Sequence, residues 1–196
     1  MVKSARSKTV AYVRRLLPVR LARRFVRQQG GAVAVEFALV AIPFIALIFA
    51  IMETALVFFA GQTLETAVQD AARLIMTGQA QTAGWSKDDF KTQGVCPRLV
   101  GGLFDCVNGV YVDVQTYADF NSYNNGNTSP LTNGTFDQSK LNYFPGTPGS
   151  IEVVTFYYQW PIYVSLLGNN LSNMNGNNRL LVATAVFRNE PYQVGN

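Results

Sequence analysis

The feature that most constrains this chain is an apolar tract running from Ala32 to Ala60. Within it, residues 37–52 read FALVAIPFIALIFAIM and carry no charge. A helix needs about 20 predominantly apolar residues to cross a hydrocarbon core about 30 Å thick. Residues 37–60 would rise about 36 Å as a helix, which predicts a transmembrane span with some tilt. The alternative is a buried helix of a soluble domain, which is disfavoured because the tract is apolar on every face and follows nine positive charges.

The charge distribution orients this span. Residues 1–31 hold nine basic side chains and no acidic one, whereas residues 32–196 carry seven basic and twelve acidic groups, a net charge of −5. By the positive-inside rule, the basic segment stays in the cytoplasm and residues 61–196 lie outside. The sequence therefore predicts a cytoplasmic leader over 1–31, a transmembrane helix over 32–60 and an extracytoplasmic domain over 61–196.

Three residues in the span are unfavourable in lipid or in a helix. Pro43 lacks a backbone donor, which predicts a kink. Glu36 places a carboxylate near the cytoplasmic end, where a charge is costly and marks a candidate functional residue in need of a partner. Glu53 lies 17 residues later, about 25 Å along a helix. It is expected near the outer interface, either as a second candidate functional residue or as an interfacial residue of no special role.

The residues before Glu36 form a recognisable arrangement. A basic leader ends in Gln28-Gln29-Gly30-Gly31, and Ala32-Val33-Ala34-Val35 precede Glu36 and Phe37. This order resembles type IV prepilin-like proteins. An ordinary secretory signal places its cleavage site after the apolar region, and here the candidate site precedes it.

The stretch from Arg23 to Gln79 closely resembles the N-terminal module of TadE-like pilus assembly proteins, which are minor pilins or pseudopilins of the tight-adherence (Flp, type IVc) pilus. The ending Val186-Phe187-Arg188-Asn189-Glu190-Pro191-Tyr192 is similar to the close of many such proteins. The resemblance implies a single-pass protein of a bacterial inner membrane, with its C-terminal domain in the periplasm or incorporated in the pilus. The implied partners are a prepilin peptidase, other pilin and pseudopilin subunits, and platform proteins of the pilus machinery.

The resemblance also implies roles for individual residues. The peptidase would cut between Gly31 and Ala32, which leaves Glu36 as the fifth mature residue, followed by Phe37. In prepilin-type subunits this glutamate is thought to meet an N-terminal amine in the helical bundle. Such pairing is chemically sensible, because each charge lowers the cost of burying the other in lipid.

The region after the span predicts an α+β domain. Apolar residues recur at helical spacing through residues 64–75, so one rod is expected over 34–77 with a stripe that packs on a sheet. Three segments rich in β-branched and aromatic residues, 109–120, 151–163 and 180–187, predict strands of a small antiparallel sheet. Polar loops over 121–150 and 168–179 separate them. The aromatic run Tyr157, Tyr158 and Trp160 is expected to lie in the sheet core.

Cys96 and Cys106 are the only cysteines, and they lie in the domain predicted to be on the oxidising side of the membrane. A disulfide would close a short loop and stabilise the fold by about 2–3 kcal/mol. A reactive thiol pair is the alternative, although the Cys-x-x-Cys spacing usual for redox chemistry is absent.

The composition disfavours most enzymes. The chain contains no histidine, which removes histidine-based nucleophile pairs, zinc sites and general bases. The sequence predicts a structural component with no catalytic residues, cofactor, metal or nucleic-acid partner. The competing interpretations are a single-pass sensor or binding protein with an extracytoplasmic ligand domain, and an anchored hydrolase.

Overall fold

The computed structural model describes residues 31–119, 122, 129–163 and 171–192. Its longest element is helix α1 (Ala32–Met76), which contains 45 residues. The chain divides into two compact units, and the division falls inside α1 between Ile48 and Phe49. Each unit is described separately below.

The described part of the first unit is helical from Ala32 to Ile48, and its side chains are almost all exposed. Aliphatic and aromatic residues dominate this stretch, and straight-chain residues such as Leu and Ala favour helix. Pro43 lies inside the helix without ending it. The kink expected at this residue stays a prediction.

The second unit begins with the remainder of α1, which buries one continuous face. The buried positions recur at intervals of three or four residues, as an amphipathic helix requires. They include the predicted stripe Leu64, Ala67, Val68, Ala71 and Ile75, while Leu74 is partly buried against it. The complete set is Glu53, Val57, Ala60, Leu64, Ala67, Val68, Ala71, Ala72 and Ile75.

Short helical turns connect α1 to the sheet. They are α2 (Gln79–Thr82), α3 (Lys87–Asp89), a π-helical turn (Phe90–Val95), a 3-10 turn (Cys96–Arg98) and α4 (Cys106–Gly109), with a further 3-10 turn at Gln138–Lys140. Ser86 and Asp89 form a reciprocal capping box at the start of α3, which satisfies two backbone donors that the helix leaves free.

The sheet contains the three predicted strands. They are β1 (Val110–Tyr117), β4 (Ile151–Pro161) and β5 (Asn178–Arg188), in the antiparallel order β1-β4-β5. Val114 lies opposite Val154, and Phe156 lies opposite Ala183. The fold class predicted from the sequence, a long apolar helix followed by a small antiparallel sheet, is confirmed.

A second, two-stranded sheet lies within the segment predicted as loop. It joins β2 (Leu131–Thr132) and β3 (Thr135–Phe136) through Asn133 and Gly134, which both have positive φ angles of 51° and 74°. Two left-handed residues match the right-handed twist of a hairpin, and Asn-Gly is the sequence most suited to them. The hairpin could have been predicted from this Asn-Gly dipeptide in the sequence.

The core lies between α1 and one face of the three-stranded sheet. The sheet residues on that face alternate along each strand: Val110, Val112 and Val114 in β1, Val154 and Phe156 in β4, and Leu181 and Ala183 in β5. This arrangement confirms that the stripe of α1 packs on the sheet.

The aromatic run in β4 divides between the two faces of the sheet. The rings of Tyr158 and Trp160 pack against Phe104 on the α1 side, at centroid distances of 4.9 and 6.2 Å. The ring of Tyr157 instead contacts Phe136 at 5.5 Å, so the hairpin covers the opposite face. Alternation along the strand is the reason, because successive side chains point to opposite sides.

The C-terminal segment closes the far end of α1. The N–H of Glu190 donates to the carbonyl of Met76 at 2.9 Å. Gly78 ends the helix with a φ of 76°, and a Cβ built there would lie 2.2 Å from the ring of Tyr192. Burial, and then the Glu152 carboxyl, raise the pKa of the Tyr192 phenol. The ending that resembles pilus proteins is thus a packing element of the domain.

Glu152 is fully buried at this end of the sheet. Its Oε1 lies 2.7 Å from Ser150 Oγ and its Oε2 lies 2.9 Å from Thr116 Oγ1. Each hydroxyl also lies within hydrogen-bond distance of a carbonyl, that of Thr147 or Phe144. The two hydroxyls have one proton each, but they lie near four acceptors, namely two carboxylate oxygens and two carbonyl oxygens. A proton on the Glu152 carboxyl would add a third donor to this group. Burial raises the pKa of Glu152, and it outweighs the two hydroxyl contacts.

Substitutions of Gly78 and Gly84 distinguish the cost of backbone strain from the cost of steric overlap. Both have positive φ angles, but only Gly78 has atoms close to the position of a Cβ. Gly84→Ala should lower the free energy of unfolding by about 1–2 kcal/mol, the cost of a left-handed non-glycine residue. Gly78→Ala should lower it clearly further, because Tyr192 must also move. Thermal melting of the two detergent-solubilised variants checks this; equal losses would contradict the contact between Gly78 and Tyr192.

Glu152 should make stability depend on pH. Its pKa is raised above the ordinary 4.5 in the folded state, so the folded protein holds the proton longer than the unfolded chain. The contribution of Glu152 is therefore full below that ordinary value and is lost as pH rises through the folded-state pKa. Glu152→Gln should remove this slope and equal or exceed wild type in melting temperature near neutral pH. Melting curves across the pH range check it, with exposed Glu65→Gln as control. If the melting temperatures of wild type and Glu152→Gln differ by the same amount at every pH, the expectation is wrong.

Candidate processing and assembly site

The predicted cleavage position lies at the start of the long helix. Gly31 immediately precedes α1, and Ala32 is its first residue. A Cβ built on Gly31 would meet no atom of the described chain within 4 Å, and its φ is not positive. The fold of the described residues therefore does not require glycine at this position.

Glu36 and Phe37 lie just over one turn into α1, and both side chains are exposed. Within the part of the chain that the structure describes, no hydrogen bond or ion pair engages the Glu36 carboxylate. Four residues correspond to about 6 Å of helix, so an amine at Ala32 would lie about one turn away. The structure thus groups Gly31, Ala32, Glu36 and Phe37 in the first turns of one helix.

The helix after this site presents apolar side chains to its surroundings. No residue in the most apolar stretch of α1 is buried. Among the described residues, α1 is the one helix long and apolar enough to cross a membrane. Exposed large apolar residues occur at intervals from Val33 to Phe59. An exposed apolar surface of this extent requires lipid or other apolar helices around it.

Glu53 has a different environment from Glu36. It is the first buried residue of α1, and its Oε1 accepts the backbone N–H of Tyr163 at 2.5 Å. Neither alternative considered from the sequence included this tertiary contact. The sequence contains no local signal for this contact, because Tyr163 lies 110 positions after Glu53.

Cys96 and Cys106 are joined in a disulfide, with their Cα atoms 5.6 Å apart. The bond connects the 3-10 turn Cys96–Arg98 to the first residue of α4. The prediction of a disulfide is confirmed, and the alternative of a reactive thiol pair is wrong for this structure. These cysteines and the residues at the start of α1 form separate sites.

Two open grooves lie on the surface of the second unit. One, of about 400 Å³, lies between α1 and β5 and is lined by residues such as Val57, Gly61, Arg179 and Val182. The other, of about 370 Å³, contains Lys87 and Lys91.

Both lysines in the second groove have structural partners. The Nζ of Lys87 donates to the carbonyl of Leu141 at 3.1 Å, and that of Lys91 donates to the carbonyl of Val107 at 2.7 Å. Burial lowers the pKa of each, while neighbouring aspartates oppose the shift. The described residues contain no cluster of three or more metal-ligating side chains. Lys87 thus connects α3 to the end of the 3-10 turn Gln138–Lys140, and Lys91 connects the π-helical turn to α4.

The segment that matches a known protein family begins at the predicted cleavage position. Searches of curated proteins and of solved structures found no match. Residues 31–73 match the family model described as TadE-like protein. The matched segment begins at Gly31, includes Glu36 and Glu53, and ends in the last turns of α1. The resemblance predicted from the sequence is confirmed over this segment: residues 31–73 are similar to the TadE-like family of proteins.

Proposed function

We propose that this protein is a membrane-anchored minor pilin or pseudopilin that serves the biogenesis of a tight-adherence pilus. The observation that carries the proposal is the start of α1. A family-matched helix begins at Ala32, directly after Gly31, and presents Glu36 without a partner among the described residues. The rest of the domain offers a rigid α+β body that suits a structural subunit.

The first step is processing by a prepilin peptidase at the cytoplasmic face of the inner membrane. Water adds across the peptide bond between Gly31 and Ala32, giving a carboxylate on Gly31 and an amine on Ala32. The cut removes the segment with nine basic residues. The new α-amine, with a usual pKa of about 7.7–8.0, carries a proton in a large fraction of molecules at neutral pH.

The second step is pairing of this ammonium with the Glu36 carboxylate. Each charge alone is unfavourable in lipid, and a salt bridge reduces the desolvation that either would suffer. The pair can form within one chain across one helical turn, or between the amine of one subunit and Glu36 of its neighbour. The second arrangement links processing to assembly, because an uncleaved chain has no amine at Ala32.

The topology follows from the charge asymmetry. The leader stays in the cytoplasm, α1 enters the inner membrane, and the disulfide-bonded domain lies in the periplasm or in the fibre. The partners are the peptidase, other pilin and pseudopilin subunits, and the platform proteins of the pilus machinery. A single-pass sensor would share this topology but would retain its leader and bind no pilin.

Gly31 provides a clean test of processing. Gly31→Leu should block cleavage and leave the basic leader attached, because the peptidase is expected to require a small residue before the cut. The variant should still fold, since no described atom lies within 4 Å of the Cβ position of residue 31. Anti-tag blots of membranes give the size of the chain, and N-terminal sequencing of the wild type should begin at Ala32.

Gly61→Leu is the matched control. Gly61 lies within α1 and also has no atom within 4 Å of its Cβ position, but it is remote from the cut. This variant should be processed normally. Normal cleavage of Gly31→Leu, or a wild-type chain that retains its leader, would sink the prepilin assignment and favour the sensor interpretation.

Glu36 tests assembly separately from insertion. Glu36→Ala and Glu36→Gln remove the charge and make the span more apolar, so both should insert and be cleaved as wild type. They should nevertheless lose most of the pilin co-purified from crosslinked membranes, because the ammonium of a neighbour has no carboxylate to meet. Pull-down and pilus counts by electron microscopy measure this.

Glu65→Gln serves as the control for loss of an exposed carboxylate on the same helix. It should retain wild-type recovery of partner pilins. If the Glu36 variants pull down the same pilins as wild type and support normal piliation, the assembly role of this carboxylate is wrong.

A further inference from the structure

The contact between Glu53 and Tyr163 lies at one end of the domain. Glu53 is only 7% exposed and is the point at which α1 begins to pack on the sheet. Its carboxylate accepts the N–H of a residue 110 positions later, just beyond the end of β4. The contact therefore fixes the backbone after β4 at one level of the helix.

Tyr163 is exposed although its backbone is held firmly. Its side chain is 82% exposed, while the adjacent Ile162 is buried. The N–H of Ile162 donates to the carbonyl of Asn177 at 3.0 Å, and Asn177 Nδ2 donates to the carbonyl of Ile162 at 2.5 Å. These bonds hold the backbone at Ile162 and Tyr163, where an aromatic ring with a polar hydroxyl is exposed. Tyrosine in such a position is typical of a membrane–water interface, where it satisfies both environments.

The uncovered faces of α1 at this end are apolar. The exposed large side chains from Phe49 to Phe59 are Phe49, Ile51, Met52, Leu56, Phe58 and Phe59. Farther along the helix, the exposed positions become polar: Gln62, Glu65, Thr66, Gln69 and Asp70. The change lies about two turns beyond Glu53. The residues that follow Glu53 therefore combine burial on one face with an apolar surface on the others.

The length of the helix gives the depth of Glu53. Residues 32–52 rise about 30 Å, the thickness of a hydrocarbon core. Polar headgroup layers add about 5–8 Å on each side, which corresponds to about four or five further residues of helix. With Ala32 at the cytoplasmic edge of the hydrocarbon core, the outer boundary between hydrocarbon and headgroups falls at Glu53, and Leu56, Phe58 and Phe59 fall in or close to the headgroup layer.

We propose that Tyr163, together with Leu56, Phe58 and Phe59, forms an interfacial surface that docks on the phospholipids of the outer leaflet. Glu53 acts as a positioning residue, because its bond to the Tyr163 N–H holds the ring at the level of the headgroups. The proposal rests on the membrane anchor in the proposed function and shortens the hydrocarbon-spanning segment from 32–60 to 32–52. The occupant is lipid because Phe49, Ile51 and Met52, which precede this surface in the second unit, are exposed and apolar, and α1 is the one helix among the described residues long and apolar enough to cross a membrane.

Site-directed spin labelling of the full-length protein in phosphatidylethanolamine–phosphatidylglycerol vesicles tests this. The two native cysteines are bonded to each other, so a thiol introduced by Tyr163→Cys reacts alone. Collisions of the label with oxygen, which concentrates in lipid, and with a water-soluble nickel chelate report its depth.

Two reference sites calibrate the measurement. Phe144→Cys replaces a residue that is 59% exposed and is bonded beside Val114, which pairs with Val154 in β4. It lies about 30 Å from Tyr163 along the strand direction. Phe44→Cys places a label inside the span. The ratio of oxygen to nickel collisions at Tyr163 should be severalfold above that at Phe144 and below that at Phe44.

The outcomes distinguish the surface from the anchor. A Tyr163 label as accessible to nickel as the Phe144 label, with the Phe44 label still in lipid, overturns the interfacial surface and leaves the anchor intact. A Phe44 label in water overturns the anchor itself, and the surface with it. A Tyr163 label shielded from both reagents indicates a protein partner and also overturns docking on lipid.

A second comparison tests the role of Glu53. Glu53→Ala removes the acceptor for the Tyr163 N–H, so the collision ratio of the Tyr163 label should fall toward the Phe144 value. Glu53→Gln retains an acceptor oxygen and should keep the ratio, as should the control Glu65→Ala. An unchanged ratio in Glu53→Ala would show that Glu53 does not position Tyr163.

Discussion

The packing of one face of α1 on the three-stranded sheet is the interaction on which the other contacts depend. The buried face of the helix combines the small side chains of Ala60, Ala67 and Ala71 with the larger Leu64 and Ile75, which fill the space between helix and sheet. The near end of this interface carries the bond between Glu53 and Tyr163, and the far end carries the bond between Met76 and Glu190. The start of β4 lies at the far end, because Ser150 accepts the N–H of Asn189 and the next residue, Glu190, is bonded to Met76. The residue after the end of β4, Tyr163, is bonded to Glu53 at the near end. Helix α1 and strand β4 therefore run in opposite directions.

Much of this architecture could be predicted from the sequence because its elements are locally encoded. The apolar tract, the stripe over residues 64–75 and the alternation in Val110–Val114 each follow from periodicity alone. The strand order required pairings between distant segments, which no local pattern specifies. The β2–β3 hairpin had a local signal in Asn133 and Gly134, but its strands contain only two residues each, too few to show alternation.

The candidate site divides in the same way. Gly31, Ala32, Glu36 and Phe37 lie within seven consecutive residues, so their order along the chain already places them on the first turns of one helix. The contact of Glu53 depends on a residue 110 positions away, and the buried Glu152 looks like any polar residue in a strand. Their roles arise from the fold, because a charged residue in a sequence carries no indication of which backbone group will meet it.

The position of β5 at the edge of the sheet has a consequence for self-association. From Leu180 to Phe187 the strand has no charge, and Val182-Ala183-Thr184-Ala185-Val186 reads identically in both directions. Such an edge can pair with a second copy of itself about a two-fold axis perpendicular to the sheet. That axis would reverse α1, so two chains anchored in one bilayer cannot use it. Anchoring in a bilayer would therefore exclude this pairing, whereas a soluble fragment cut from the anchor would be free to dimerise or aggregate through β5.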